Sequence, residues 1–293
     1  MFARDANFDP KTLDVVTDRN NLRKILRVIS QENFEPFRID IELAGSTLLL
    51  TRWERDSEEY ITEFRGFGHE FEKAFTTQRI TARGQTSSGH HRIIQYKFGG
   101  LQMLVRFETD AHYAHLACPP TTSNDDIDKL TSAIKSVRLE SEYPNAVLTD
   151  KTGTGAAIAS DIKVILEGSD VSHKSLIEIK TRAKHRRIVM NDVAPQLFFA
   201  QVPHLIVAYH ARGVFQTLEP KDVMANGALD DFERDKMVEL KKVVNFLETI
   251  RQEVGQVKGK RGVLLCEGGS FTLYERSTMA KHALPADLLA KWT

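Results

Sequence analysis

Four times along this chain, two short runs rich in β-branched and aromatic residues are joined by a glycine-bearing turn, a pattern that calls for antiparallel hairpins. The clearest is HRIIQYKFGGLQMLVRFETD, which turns at Gly99-Gly100. FRIDIELAGSTLLLTRW turns near Gly45, and HLIVAYHARGVFQTLEP and RGVLLCEGGSFTLYERS repeat the pattern. DIKVILEG and KSLIEIKT add two further strands, expected to be adjacent. Helical periodicity lies between them. TDRNNLRKILRVISQ repeats Leu22, Ile25, Leu26 and Ile29 on one face, with Thr17 or Asp18 as cap. GHEFEKAFTT puts Phe71 and Phe75 on one face, and DDIDKLTSAIKSVRL is a further helix. DVAPQLFFAQ is helical if Pro195 falls in the first turn. DDFERDKMVELKKVVNFLETIRQEV is one long amphipathic helix. With no regular βαβ rhythm, the expected class is α+β: a mixed, largely antiparallel sheet flanked by helices, in one domain spanning 1–293.

The 293 residues are ample to bury a core. No apolar run approaches the roughly 20 residues of a membrane span, and MFARDANFDPKTLD has no apolar signal-peptide core, so no membrane partner is expected. Cys118 and Cys266 are too few for a disulfide framework, which points to a reducing intracellular site, nuclear or cytoplasmic. A formal net charge of zero means that nucleic-acid contact needs a local patch.

The chemistry concentrates in SLIEIKTRAKHRR. Glu178 and Lys180 interrupt an apolar strand two residues apart, on one face and a little under 7 Å apart. Burying both needs a reason, because an unpaired buried charge is costly. One reason is a salt bridge at a sheet edge. Another is a metal site, with Glu178 as ligand and Lys180 steering water or stabilising phosphate. VRFETDAH supplies a second same-face pair, Glu108 and Asp110, which read as a strand end entering a loop or as further ligands. Two such pairs converging would make an oxygen-rich site for Mg²⁺ or Mn²⁺, and two ions there would bind both attacking water and leaving oxygen. The cations that follow, including Arg182, Lys184 and Arg186, read as a solvated strand end or as a guide for an RNA backbone.

Taken in order, the motifs resemble the DXO-type decapping exoribonucleases, whose core is shared with PD-(D/E)XK nucleases. VVTDRNNLRKIL is similar to the family's arginine motif at Arg19, and FRIDIELAGSTLLL to the hairpin after it. FGHEFEKAF matches its glycine–glutamate helix at Gly68 and Glu72, and FETDA matches through Glu108 and Asp110. IEIKT matches through Glu178 and Lys180, and PQLFFAQVPHLIVAYH resembles the segment opened by Gln196. The resemblance implies that Glu72, Asp110 and Glu178 bind cations, with the Ile179 carbonyl as a further ligand and Glu108 direct or through water. It implies that Lys180 and Gln196 hold the attacking water or scissile phosphate, and that Arg19 contacts RNA phosphate near the 5′ end. The implied activities are decapping, pyrophosphate release from 5′-triphosphate RNA and 5′-to-3′ exonucleolysis. The implied partner is single-stranded RNA 5′ ends, with room for a 5′-to-3′ exoribonuclease as a protein partner.

The chain departs from that pattern in places. Asp110 and Glu178 stand 68 positions apart, so 111–170 is expected as an insertion at the edge of the site. Leu197 stands where a serine is usual, His69 follows Gly68 while Phe67 precedes it, and little chain precedes Arg19. HYAHLAC has no second cluster to complete a zinc tetrad. NDDIDK is expected to cap a helix, and TGTGAA lacks the lysine of a phosphate loop. A DNA nuclease on the same core, and a noncatalytic module binding RNA ends or an exonuclease, are the alternatives.

Overall fold

The computed structural model describes residues 8–32, 35–55, 66–77, 89–117, 171–277 and 279–292. Its larger sheet is built from β1 (Val15–Asp18), β2 (Phe37–Ala44), β3 (Thr47–Arg52), β4 (His91–Phe98), β5 (Leu101–Glu108), β10 (Arg261–Glu267) and β11 (Ser270–Glu275). They lie in the order β11-β10-β2-β3-β1-β5-β4. A smaller sheet runs β6 (Ala111–His112), β7 (Leu176–Ala183), β8 (His204–Ala211) and β9 (Val214–Asp222). The four expected hairpins are all present. The fold is α+β with mixed sheets, and among the described residues parallel pairing is confined to β1 with β3, β1 with β5, and β7 with β8.

Helix α1 (Arg19–Ile29) follows β1 without a linker, and the Asp18 carboxylate caps it by accepting from Asn21 N–H at 2.8 Å. Leu22, Ile25 and Leu26 then point at the large sheet. They meet Val15, Leu48 and Met103 there, together with α4 (Met190–Ala200) and α6 (Met237–Gln256). The opposite face carries Val16, Leu49, Ala44 and Trp292 from the C-terminal turns, α7 (Ala286–Leu289) and the short helix after it. The smaller sheet is buried on both faces. Leu176, Leu205 and Val207 join the main core, while Ile177, Ile179 and Ile206 form a second core under Phe71 of α2 (Gly68–Phe75). Two-sided burial explains why Leu176, Ile177 and Ile179 are apolar on both faces of β7. A short helix, α3 (Ala114–Ala117), follows β6. No helix among the described residues is long and apolar enough to cross a membrane.

Three expectations change. Strand β1 is an addition to the expected elements; its four residues are too few to show a period, and only its neighbours β3 and β5 make it a strand. The long amphipathic helix is broken at Lys236 into α5 (Ala228–Asp235) and α6. The break lets Phe232 pack on Phe198 of α4 while Leu247 and Val243 reach the main core. Pro195 lies beyond the first turn of α4, where it removes the N–H that Asn191 C=O would accept; Asn191 is exposed, so water meets that carbonyl. The expected DIKVILEG strand, the 125–139 helix and most of the expected insertion lie outside the described residues, while Ala111 and His112 pair with β7.

Candidate active site

Alternation along β7 sends Glu178 to the face of Leu176, toward the start of α1 and the middle of α4. Its carboxylate is 1% exposed and held by three donors. Arg19 Nη1 donates to Oε2 at 2.8 Å, Lys180 Nζ to Oε1 at 2.5 Å, and Gln196 Nε2 to the same Oε1. Burial by itself would raise the pKa of Glu178; the Lys180 ammonium and Arg19 guanidinium overcome it and hold the group below the ordinary glutamate range. The Glu178–Lys180 salt bridge therefore exists, on a strand that no other described strand flanks beyond Ile177 on the β6 side.

Asp110 sits between β5 and β6, where the chain passes from one sheet to the other. Its Oδ2 accepts the Ile179 N–H at 2.7 Å. Burial, and next the charge of Glu178, push Asp110 up to about 8, against the pull of that N–H and of Lys180. An extended residue presents N–H and C=O to the same edge, so the Ile179 carbonyl faces the Asp110 side. Glu72 on α2 is also raised, by burial first and by Glu108 and Glu178 among its neighbours, while His69 and Lys180 oppose the rise. Glu108 closes β5, its Oε1 filling the space beside Gly89. The start of α2 is fixed by Phe67, whose ring lies where a side chain on Gly213 (φ +86°) would stand. Glu72 on α2 thus feels Glu108 of β5 and Glu178 of β7, and Asp110 in the β5–β6 turn feels Glu178 and Glu72.

The surplus is negative. Arg19 and Lys180 are committed to Glu178, which leaves Asp110 and Glu72 short of counter-charge. Carboxylates and a strand carbonyl are the donors hard divalent cations prefer, and buried acids with raised pKa are what such a cation would relieve. In donor type these groups suit Mg²⁺ or Mn²⁺, but among the described residues no three His, Cys, Asp or Glu groups are arranged to hold a metal ion. Glu178 instead points its oxygens at cationic and amide donors, and Asp110 at a backbone N–H.

The expected RNA-contacting cations separate. Arg19 is spent on Glu178 and lies 5.6 Å over the Phe107 ring. Arg182 bonds the Thr181 carbonyl at 3.1 Å, and Lys184 bonds Gln216 at 3.3 Å. Arg187 pairs with Glu219 at 2.6 Å and covers Tyr209. Arg186 is exposed. One cation escaped notice. Arg23, one helical turn beyond Arg19, is lowered to about 10 by burial, then by Arg27 and Arg19. Its buried Nε has no partner among the described residues. Its i+4 spacing from Arg19 was the available signal. His115 and His204 both pack edgewise or tilted on Tyr113, a structural use of the histidines in that region.

This architecture, with acids gathered where the small sheet meets α1, α2 and α4, is the Rai1/DXO-like α+β fold. Scheffersomyces stipitis Rai1 in complex with (3'-NADP)+ and calcium ion matches with a TM-score of 0.54 at 13% identity, over 96% of this chain and 74% of that one. S. pombe Rai1 in complex with 3'-FADP matches at 0.51 and 12% identity, over 91% and 72%. K. lactis Dxo1 in complex with manganese matches at 0.51 and 9% identity, over 94% and 69%. By sequence, the chain belongs to the family described as Domain of unknown function (DUF8563), whose model matches residues 2–292. No curated protein matches it.

Proposed function

We propose that this chain is a metal-dependent hydrolase of RNA 5′ ends, acting on decapping or 5′-triphosphate substrates and as a 5′-to-3′ exoribonuclease. The observation that carries the proposal is Asp110, hydrogen-bonded to the Ile179 N–H next to buried Glu178 and raised to about 8 by burial and by the charges of Glu178 and Glu72. Its support from relatives is the fold, together with the 3'-FADP, (3'-NADP)+ and calcium ion named for Rai1 structures and the manganese named for Dxo1. Glu72, Glu108, Asp110, Glu178 and the Ile179 carbonyl would hold one or two Mg²⁺ or Mn²⁺ ions, which supply a polarised water and charge neutralisation at phosphate.

The chain's own groups divide the remaining work. The Lys180 ammonium, half-buried beside Glu178, supplies a positive charge to a phosphoryl oxygen as negative charge grows there. Gln196 offers an amide that orients a water or an oxygen at the same place, and its partner on Glu178 fixes its direction. Arg19 holds Glu178 ionised, and either stays there or exchanges that carboxylate for an RNA phosphate when substrate arrives. Arg182 and Arg186, which carry no ion pair among the described residues, extend a positive strand end from the site along the RNA backbone. The free Cys266 agrees with a reducing intracellular compartment.

Incubation with 5′-triphosphate, 5′-monophosphate and capped RNA, each with and without Mn²⁺ and beside single- and double-stranded DNA, tests the assignment. Product from RNA only with Mn²⁺, lost in a folded Asp110→Ala, Glu178→Ala variant, is the expected result. RNA affinity without product in any lane would make the chain a binding module, and product from DNA alone would make it a DNA nuclease.

A further inference from the structure

Strand register places a stacking surface beside the carboxylates. Val16 of β1 pairs with Leu49 of β3 and with Leu104 of β5, so these three residues share one level and one face of the large sheet. That is the face opposite the main core, where Leu49 packs with Trp292. Four residues past Leu104 stands Glu108, the last residue of β5, and Trp53 follows Arg52, the last residue of β3; Trp53 lies against Arg38, which alternation along β2 puts on the same face as Glu42, the partner of Leu49. Between them β1 has already ended, because the chain turns at Asp18 into α1. Trp53 and Glu108 therefore flank a notch one strand wide, about 10 Å across at the usual strand spacing.

Trp53 is held in place. The Arg38 guanidinium lies 4.9 Å from the centre of its ring, and Arg38 Nε donates to Asp40 Oδ1 at 2.7 Å. Arg276 fixes the other Asp40 oxygen at 3.1 Å. Two guanidiniums and one carboxylate leave this corner net positive, opposite the acids across the notch. With Arg38 over the ring, Trp53 still keeps 39% of its surface exposed. The other exposed Phe, Tyr or Trp side chain among the described residues, Tyr274, is on β11, five strands from β5. Phe107, the aromatic nearest Glu108 in sequence, is buried beneath Arg19.

We propose that Trp53, backed by Arg38, is the platform on which one of the first two bases of an RNA 5′ end stacks while its phosphates reach the carboxylates. The inference rests on the hydrolase proposal for the position of the phosphates. A planar base of any identity gains from an indole face, and the cationic corner suits the flanking phosphate.

The probe is a 5′-phosphorylated, phosphorothioate-linked adenosine pentamer, compared by equilibrium binding in Mn²⁺ with pentamers made abasic at the first or second nucleotide. The expected result is a preference for one of those bases of roughly 10- to 100-fold. That preference should vanish in Trp53→Ala and largely survive in Trp53→Phe, with thermal melts confirming that both variants fold. A preference undiminished in Trp53→Ala, or no preference in the wild type, overturns the platform. The cleavage assay separates the two proposals. Base preference without cleavage removes the hydrolase and keeps the platform, and cleavage with an unchanged preference in Trp53→Ala does the reverse.

Discussion

The Ile179 N–H donates to Asp110 Oδ2 at 2.7 Å, fastening the turn between the two sheets to the residue next to Glu178. This bond brings an acid from the β5–β6 turn to β7 although 69 residues of chain separate the partners. It favours ionised Asp110 but does not prevail over burial and the Glu178 charge. The carboxyl is left needing a proton or a cation.

That need sets a pH dependence. The folded pKa of Asp110, about 8, lies above the ordinary aspartate value of 3.8, so between those values the folded protein binds the extra proton. The stability this proton gives is complete below the unfolded pKa and is lost as pH rises through the folded pKa. In chelator, the melting temperature of the wild type should fall between pH 6 and 9 relative to Asp110→Asn, whose curve lacks this component. Mn²⁺ should narrow the difference at pH 9. Parallel curves for the two proteins across that range would show that Asp110 is not the group responsible.

Glu178→Gln strands two cations against a neutral amide. The cost should be about 3 kcal/mol, because breaking a largely buried ion pair leaves an uncompensated charge. Urea melts of Glu178→Gln, Arg19→Met and the double variant form a cycle, and the double variant should lose much less than the sum of the singles. Additive losses would mean that the 2.8 Å Arg19–Glu178 contact carries no coupling.

Phe71 stacks on Phe75 with ring centroids 4.4 Å apart and fills the second core beneath α2. Phe71→Ala should cost about 3–4 kcal/mol. Because Glu72 follows it directly on α2, Mn²⁺ affinity measured by calorimetry on the folded variant should also weaken, by more than in a core variant of the large sheet such as Met103→Leu. Equal Mn²⁺ affinity in the two variants would separate α2 packing from the carboxylates.

Arg23 carries a buried Nε without a partner among the described residues, and its pKa is lowered to about 10. Replacing it by Met keeps the aliphatic stem and removes a guanidinium whose buried Nε is unpaired and which Arg27 and Arg19 repel, so stability should be unchanged or improved. A loss of more than about 1 kcal/mol in a urea melt would reveal that the guanidinium has a stabilising role.

Local chemistry made much of this molecule legible. The Gly99-Gly100 turn, the Asp18 cap, and the 3.6-residue spacing of Leu22, Ile25 and Leu26 act within a few residues of chain, so the hairpins and α1 follow from them directly. The acidic and lysine motifs were visible for the same reason: Glu178 and Lys180 share a face because they stand two apart on a strand. Contacts over long distances in sequence decided the rest. Four-residue β1 is a strand only because β3 and β5 flank it, and the helix from Ala228 breaks at Lys236 because its two halves pack on different partners. No local pattern could show that Arg19 would be taken by Glu178, or that Trp53 would lie under Arg38. Those facts arise when strands remote in sequence pair in one register, and burial then fixes which charges must neutralise each other.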